Sequence, residues 1–530
     1  MAENITLVNG RVFTGIAGEL WSDSVQVADG RVVEVGEAVD GNGSRVLDVD
    51  GALVTPGFID AHVHPATTGL DKLRCSFDGC VDRSSAIAAV QTYAQTHPRE
   101  PWILGAGWSM GWFEGGCPRK EWLDEIVPNR PVLVSNADGH GAWVNSRALE
   151  MAGIDAMTPD PLDGRIERLP DGSPQGTLHE GAVTLVERHA PANTADDYLA
   201  GLEIGQAELH SHGVTGWQDA IVDPDIQEAY SRLDASGRLT GRVVGAMWWD
   251  RNRGLEQVSE LVERRSAKGR NFAPTSVKLM LDGVAENYTA SILDPWLDAG
   301  GLPTDNRGVD FIDPSDLMEI VVRLDELGFQ CHFHAIGDGA VRNALDAVEA
   351  ARQANPDLDL RHHIAHLQFI HPDDLHRFAA LGVVANAQPY WACVDEYQLE
   401  LTQPFISPER HRWQYPFGSL HRAGARIAMG SDWGVSTSNV MAEIAVAVTR
   451  SRDGGSPLYL EEALTPVEAL LAFTSGSAYI NHADSEQGAI AAGMLADLVV
   501  FDRDPFEDGL FQEARVMMTF VGGDLVYEAI

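Results

Sequence analysis

Two histidines one residue apart close an apolar run, Thr55-Pro-Gly-Phe-Ile-Asp-Ala-His-Val-His-Pro65. In an extended strand alternate side chains share a face, so His62 and His64 point together while Val63 turns away. Two imidazoles converging at a strand end are metal ligands in form, although short His pairs also occur in solvated loops. Four other groups of metal-binding or proton-transferring type end apolar runs farther along: Lys278, the pair His332 and His334, His366, and Asp432. Four imidazoles, a lysine and a carboxylate suit a centre for two divalent ions about 3.5 to 4 Å apart, provided that one fold brings them together. An ordinary lysine is protonated and cannot ligate; carbamylation by carbon dioxide would make it a bridging carboxylate.

The elements that would position these groups are eight strand-like runs: 57–64, 213–219, 242–248, 276–282, 329–334, 362–367, 383–388 and 426–432. Most are followed by segments of helical period, such as 315–327 and 340–350. Eight β/α repeats predict a parallel TIM barrel, whose chemistry belongs at the C-terminal ends of the strands. The first fifty residues and the last forty instead read as short strands with turns, with hairpin signals at Asn9-Gly10 and Asp29-Gly30. A small β-sandwich built from both termini, 1–55 and 490–530, is therefore expected around a barrel spanning 56–489. The stretch 66–195 is too long for one helix and contains strand-like runs of its own, so it is expected to be an insertion that lids the site and sets specificity.

Composition narrows the partners. The chain has 530 residues, 44% of them hydrophobic and 22% charged, and a formal net charge of -40. That charge repels nucleic acid and anionic membrane, which leaves a small molecule as the expected partner. No apolar run is long enough for a bilayer span and no leader pattern opens the chain, so a cytoplasmic location is expected. The five cysteines are scattered without a paired metal-binding spacing and fit free thiols in a reducing compartment. Only four lysines occur, Lys72, Lys120, Lys268 and Lys278, which makes one at the end of a core strand conspicuous.

Taken together, Pro56-Gly-Phe-Ile-Asp-Ala-His-Val-His64, Asp138-Gly-His-Gly-Ala-Trp-Val-Asn-Ser-Arg-Ala-Leu149, Val277-Lys-Leu-Met-Leu-Asp-Gly283, His334-Ala-Ile-Gly-Asp338, His363-Ile-Ala-His366 and Gly430-Ser-Asp432 resemble the metal-dependent amidohydrolase superfamily. The branch they resemble includes N-substituted formamide deformylase and YtcJ-like amidohydrolases. The resemblance implies a zinc-type centre in which His62, His64 and Asp432 hold one ion, His334 and His366 hold a second, and carboxylated Lys278 bridges them. It also implies a catalytic proton-transfer role for Asp432 and is compatible with a homodimer or larger homo-oligomer. One departure is Ala365, where the branch often carries a glutamate before its strand-six histidine; that position bears on hydrogen bonding around the ligand and leaves the ligand set intact.

Other residues have plainer readings. His332 is expected to pack behind the site, His210 and His212 to sit in a loop, and His362 and His363 to be structural. His140, Trp108 and Trp433 are candidate substrate contacts, and the concentration of aromatic residues at expected loops favours an apolar or aromatic substrate. The expected activity is hydrolysis of a C–N bond in an amide, N-formyl group or cyclic amide through a metal-bound hydroxide. A lactonase, carbamate hydrolase or deaminase on the same centre, or an inactive binding scaffold, are the alternatives.

Overall fold

The structure is a computed structural model, which describes residues 4–37, 39, 43–452 and 454–529. Eight strands form one parallel sheet in sequence order: β1 (Phe58–Val63), β2 (Val214–Val222), β3 (Arg242–Trp248), β4 (Phe272–Met280), β5 (Gln330–Ala335), β6 (His363–His366), β7 (Val384–Ala387) and β8 (Ile427–Met429). All eight expected strands are present. Their residues are almost continuously buried because a parallel barrel is covered on both faces, which is why they read as apolar runs rather than alternating ones. Helices lie between successive strands, for example Ala195–Ser211 before β2, whose start is fixed by a capping box of Thr194 and Asp197.

The sheet nearly closes. Beyond the short β8 the seam is held by two backbone bonds, Asp432 N–H to the His62 carbonyl at 2.7 Å and His64 N–H to the Trp433 carbonyl at 3.2 Å. Gly430 permits this approach, since a Cβ there would stand 2.4 Å from the His62 nitrogen. Buried Asp60 ties the same seam, accepting from Ser431 N at 3.0 Å and Ser431 Oγ at 2.5 Å.

Both ends of the chain contribute strands to a six-stranded sheet, in which Leu53–Pro56 pairs with Leu498–Phe501 and Arg11–Phe13. A four-stranded sheet contains Ile5–Val8, Ser24–Ala28, Arg31–Gly36 and Arg45–Asp48. One buried cluster, with Leu7, Val25 and Val27 from the second sheet and Val54, Leu498 and Val500 from the first, joins them. Asp29-Gly30 makes the expected two-residue hairpin, both residues having positive φ. Asn9-Gly10 does not: the strands on either side of it belong to different sheets, and the turn carries the chain from one to the other.

Between β1 and β2 in sequence lies another six-stranded sheet, from Cys75–Ser76 through Ile103–Trp108, Val132–Asn136 and Gly141–Val144 to Pro174–Glu180 and Gly164–Arg168. Its faces bury separate apolar clusters, one containing Trp108 and Trp143 and the other Leu133 and Leu178. Among the described residues no helix is long and apolar enough to cross a membrane.

Candidate metal centre

The ends of β1, β4, β5 and β6 and the segment after β8 open into one cavity of about 430 Å³, whose wall includes His62, His64, Lys278, His334, His366 and Asp432. Asp432 lies at the focus. Its Oδ1 is 3.3 Å from His62 Nε2 and 3.1 Å from His64 Nε2, and its Oδ2 is 3.8 Å from His366 Nδ1. The His334 and His366 rings are 4.4 Å apart between centroids. One potential donor atom from each of His62, His64 and Asp432 lies within 4.8 Å of the other two, which is metal-site spacing.

Electrostatics and backbone both mark the cluster. Burial, reinforced by Lys278 and neighbouring imidazoles, holds His62, His334 and His366 well below the usual histidine range, so they stand as neutral rings with lone pairs to give. Burial also pulls Lys278 down to about 7, against the attraction of Asp432. Such an amine is available unprotonated near neutral pH, as carbamylation requires. His366 and Asp432 both adopt left-handed backbone, with φ of 77° and 54°, a strain that persists where the surroundings enforce it. Asp432 Oδ1 and His366 Nδ1 are buried without a hydrogen-bond partner. A set of neutral imidazoles and carboxylate oxygens lacking partners fits divalent metal binding.

A sequence profile described as the amidohydrolase family matches residues 45–527. The chain belongs to the amidohydrolase family. N-substituted formamide deformylase of Arthrobacter pascens is 30% identical over 99% of this chain and 98% of its own length. Protein LONG AFTER FAR-RED 3 of Arabidopsis thaliana is 29% identical over 99% of the chain and 91% of its own. In fold, this amidohydrolase is similar to an uncharacterized metal-dependent hydrolase from Pyrococcus furiosus, with a TM-score of 0.72 and 24% identity over 95% of this chain and 99% of the other.

Around the amidohydrolase's candidate cluster stands a supporting layer. His332 Nε2 is 2.8 Å from His62 Nδ1, which leaves Nε2 of His62 facing Asp432. Gln388 Oε1 accepts from the His366 backbone N–H at 2.6 Å. Asp282 accepts from the backbone N–H groups of Ser291, Ile336 and Gly337, pinning the turn after His334, and its burial pushes it up to about 8. His362 bonds Asp325, while His210 bridges the Val214 carbonyl and Thr240 away from the cavity.

His140 reaches the same cavity from the sheet between β1 and β2, its ring centroid 5.5 Å from that of His334. Its Nδ1 is 2.9 Å from Glu180 Oε2, and Thr289 Oγ1 donates to Glu180 Oε1 at 2.8 Å. Burial works against charge on His140, but Glu180, with Asp138 and Asp282, outweighs it and raises the imidazole to about 9. Trp108 and Trp433 are not brought to the cavity. Trp108 is fully buried, its indole N–H donating to the Val134 carbonyl, and the Trp433 ring packs in the barrel core. The aromatic rings in the wall are those of Trp248 and Trp391, the latter stacked on His366 at 5.5 Å.

Glu180 is the main site residue missed by sequence reasoning, because nothing local distinguishes it from a surface carboxylate. Asp60 carried a signal that could have been read: it continues the alternation of His64 and His62 one step back along the same strand face.

Proposed function

We propose that the chain hydrolyses a C–N bond of a small amide, N-formyl compound or cyclic amide bearing an apolar or aromatic group. The observation that carries this reading is the meeting of four imidazoles, one lysine and one carboxylate in a single cavity at the C-terminal end of the barrel. His62, His64 and Asp432 would hold one divalent ion, zinc being the best match to the donor set, and His334 and His366 a second, with carboxylated Lys278 between them. A divalent ion bound there supplies Lewis acidity toward the scissile carbonyl and brings the pKa of a water down to ~7.

The protein's own groups supply the rest. Asp432, buried and aimed at His62 and His64, takes the proton of the attacking water and returns it to the departing nitrogen, since an amine leaves poorly unless protonated. His140, held protonated by Glu180, faces His334 across the cavity and donates a hydrogen bond to the substrate carbonyl oxygen. The activity named for the Arthrobacter relative supports an N-formyl or related amide over other carbonyl substrates. In this reading the chain divides into a β-sandwich of 1–55 and 490–530 and a barrel of 56–489, with 66–195 as the lid that admits substrate.

Asp432→Asn tests the reading. The amide isostere keeps the shape and is expected to lower kcat on a responsive amide by at least about a thousandfold while elemental analysis still finds metal. Undiminished turnover would remove Asp432 from proton transfer. An assay across amides, esters and heterocyclic amines locates the bond cleaved.

A further inference from the structure

The ligand cavity opens sideways into a second chamber of about 230 Å³, and Asp138, Val284, Ile336 and Trp391 line both. The inner wall of this chamber comes from the segment between β4 and β5, with Glu286, and from the segment between β7 and β8, with Tyr390, Asp395, Tyr397 and Gln398. Aromatic faces make up much of it. The polar atoms that remain are mostly acceptors, and two of them, on Asp138 and Gln398, lack donors.

Gln398 is 3% exposed, and its Oε1 has no hydrogen-bond partner. Asp138 Oδ1 accepts from the His140 backbone N–H at 2.8 Å, but its buried Oδ2 accepts from nothing. Glu286 accepts from its own backbone N–H and, through a long bond, from Thr402 Oγ1 at 3.3 Å. Burial, with Asp138 and Asp395 close by, pushes the Glu286 carboxyl up to about 7.

The cations nearby are already committed. Arg452, which lines the chamber, pairs with Asp395 and donates to Cys393 Sγ at 2.9 Å, while the His140 ring pairs with Glu180. Glu286 is left without a cationic partner, and Asp138 has near it only the His140 ring that Glu180 already holds, in a place where unmatched acceptors are costly. A ligand that brings N–H donors and positive charge would relieve both. A carboxylate would face further acceptors, and above about pH 7 the Glu286 charge as well.

We propose that this chamber takes the part of the substrate remote from the scissile bond, and that this part carries a protonated amine on an aromatic or alkyl body. The inference rests on the hydrolytic reading for the position of the scissile bond, but the chamber's preference for a cation is a separate property. It narrows the substrate class from apolar amides to amides of diamines and related aminoalkyl compounds.

The test uses the metal-loaded enzyme and three N-benzylformamides that differ at the para position: aminomethyl, methyl and carboxylate. kcat/KM is expected to be highest for the aminomethyl compound, exceeding the methyl compound by about tenfold or more, the scale of one charge-assisted hydrogen bond. Glu286→Gln is expected to reduce that ratio several-fold. Equal values for the two compounds, or a preference for the carboxylate, would overturn the chamber's assignment while leaving the hydrolytic reading intact. If none of the three is hydrolysed, the reaction reading fails, and calorimetric titration with benzylammonium against benzyl alcohol decides the chamber alone. Tighter binding of the ammonium, weakened in Glu286→Gln, supports the assignment, and equal or weaker binding of the ammonium defeats it.

Discussion

His140 and Glu180 form a buried pair whose protonation is tied to folding. The usual histidine value is 6.5, and the folded protein raises it to about 9. Stability contributed by the charged ring is therefore full below about 6.5 and is lost as pH rises through about 9. Glu180→Gln removes the carboxylate that outweighs burial. In the metal-free protein, NMR titration of the His140 ring is expected to move from about 9 toward or below 6.5 in that variant; an unmoved titration would assign the raised value to other neighbours. The residues proposed as ligands were legible in the sequence because each lies at or just past the end of an apolar strand, and the structure gathers them at one cavity. Glu180 and the acceptors of the side chamber were not, since what sets them apart is a partner far away in the chain: Thr289 for Glu180, and the absence of any donor for Gln398 Oε1.

At the scale of elements, all eight barrel strands could be located from their apolar runs, as burial on both faces favours apolar side chains, but their bounds could not: 276–282 becomes Phe272–Met280, and 426–432 contracts to Ile427–Met429. Less legible was where short strands pair. Asn9-Gly10 has the composition of a hairpin, but apolar residues on both sides of it find partners in separate sheets, and tertiary burial overrides local turn preference. The closure between β1 and β8 depends on close backbone approach, which no pattern of side chains records. Gly430→Ala places a methyl group 2.4 Å from the His62 nitrogen. Denaturant unfolding is expected to show a loss of roughly 1–3 kcal/mol or more, together with weaker metal retention, because the strand that must move carries His62. Wild-type stability in this variant would mean that the seam yields without cost.

For the molecule as a whole, three buried imidazoles, the half-buried ring of His64 and a buried lysine gather around Asp432. Filling such a site stabilises the folded chain by about 3 kcal/mol when metal is in roughly hundredfold excess over its Kd. Chelation is accordingly expected to lower Tm by several degrees, and added zinc to restore it; a Tm indifferent to chelator would argue against metal binding at this cluster.

The seam between β1 and β8 also bears on biosynthesis. Asp60 and Ser431, which fasten it, are 371 positions apart. At ~5–20 residues per second, roughly 20 to 75 s of translation separate the first half of this proposed metal site from the second. Throughout that interval His62 and His64 belong to a nascent strand with no eighth neighbour and no Asp432 to complete their donor set. In the proposed centre the donor set around His62 and His64 is therefore complete only after nearly the whole chain has left the ribosome, and a chain cut short before Asp432 would carry the HxH pair without its carboxylate.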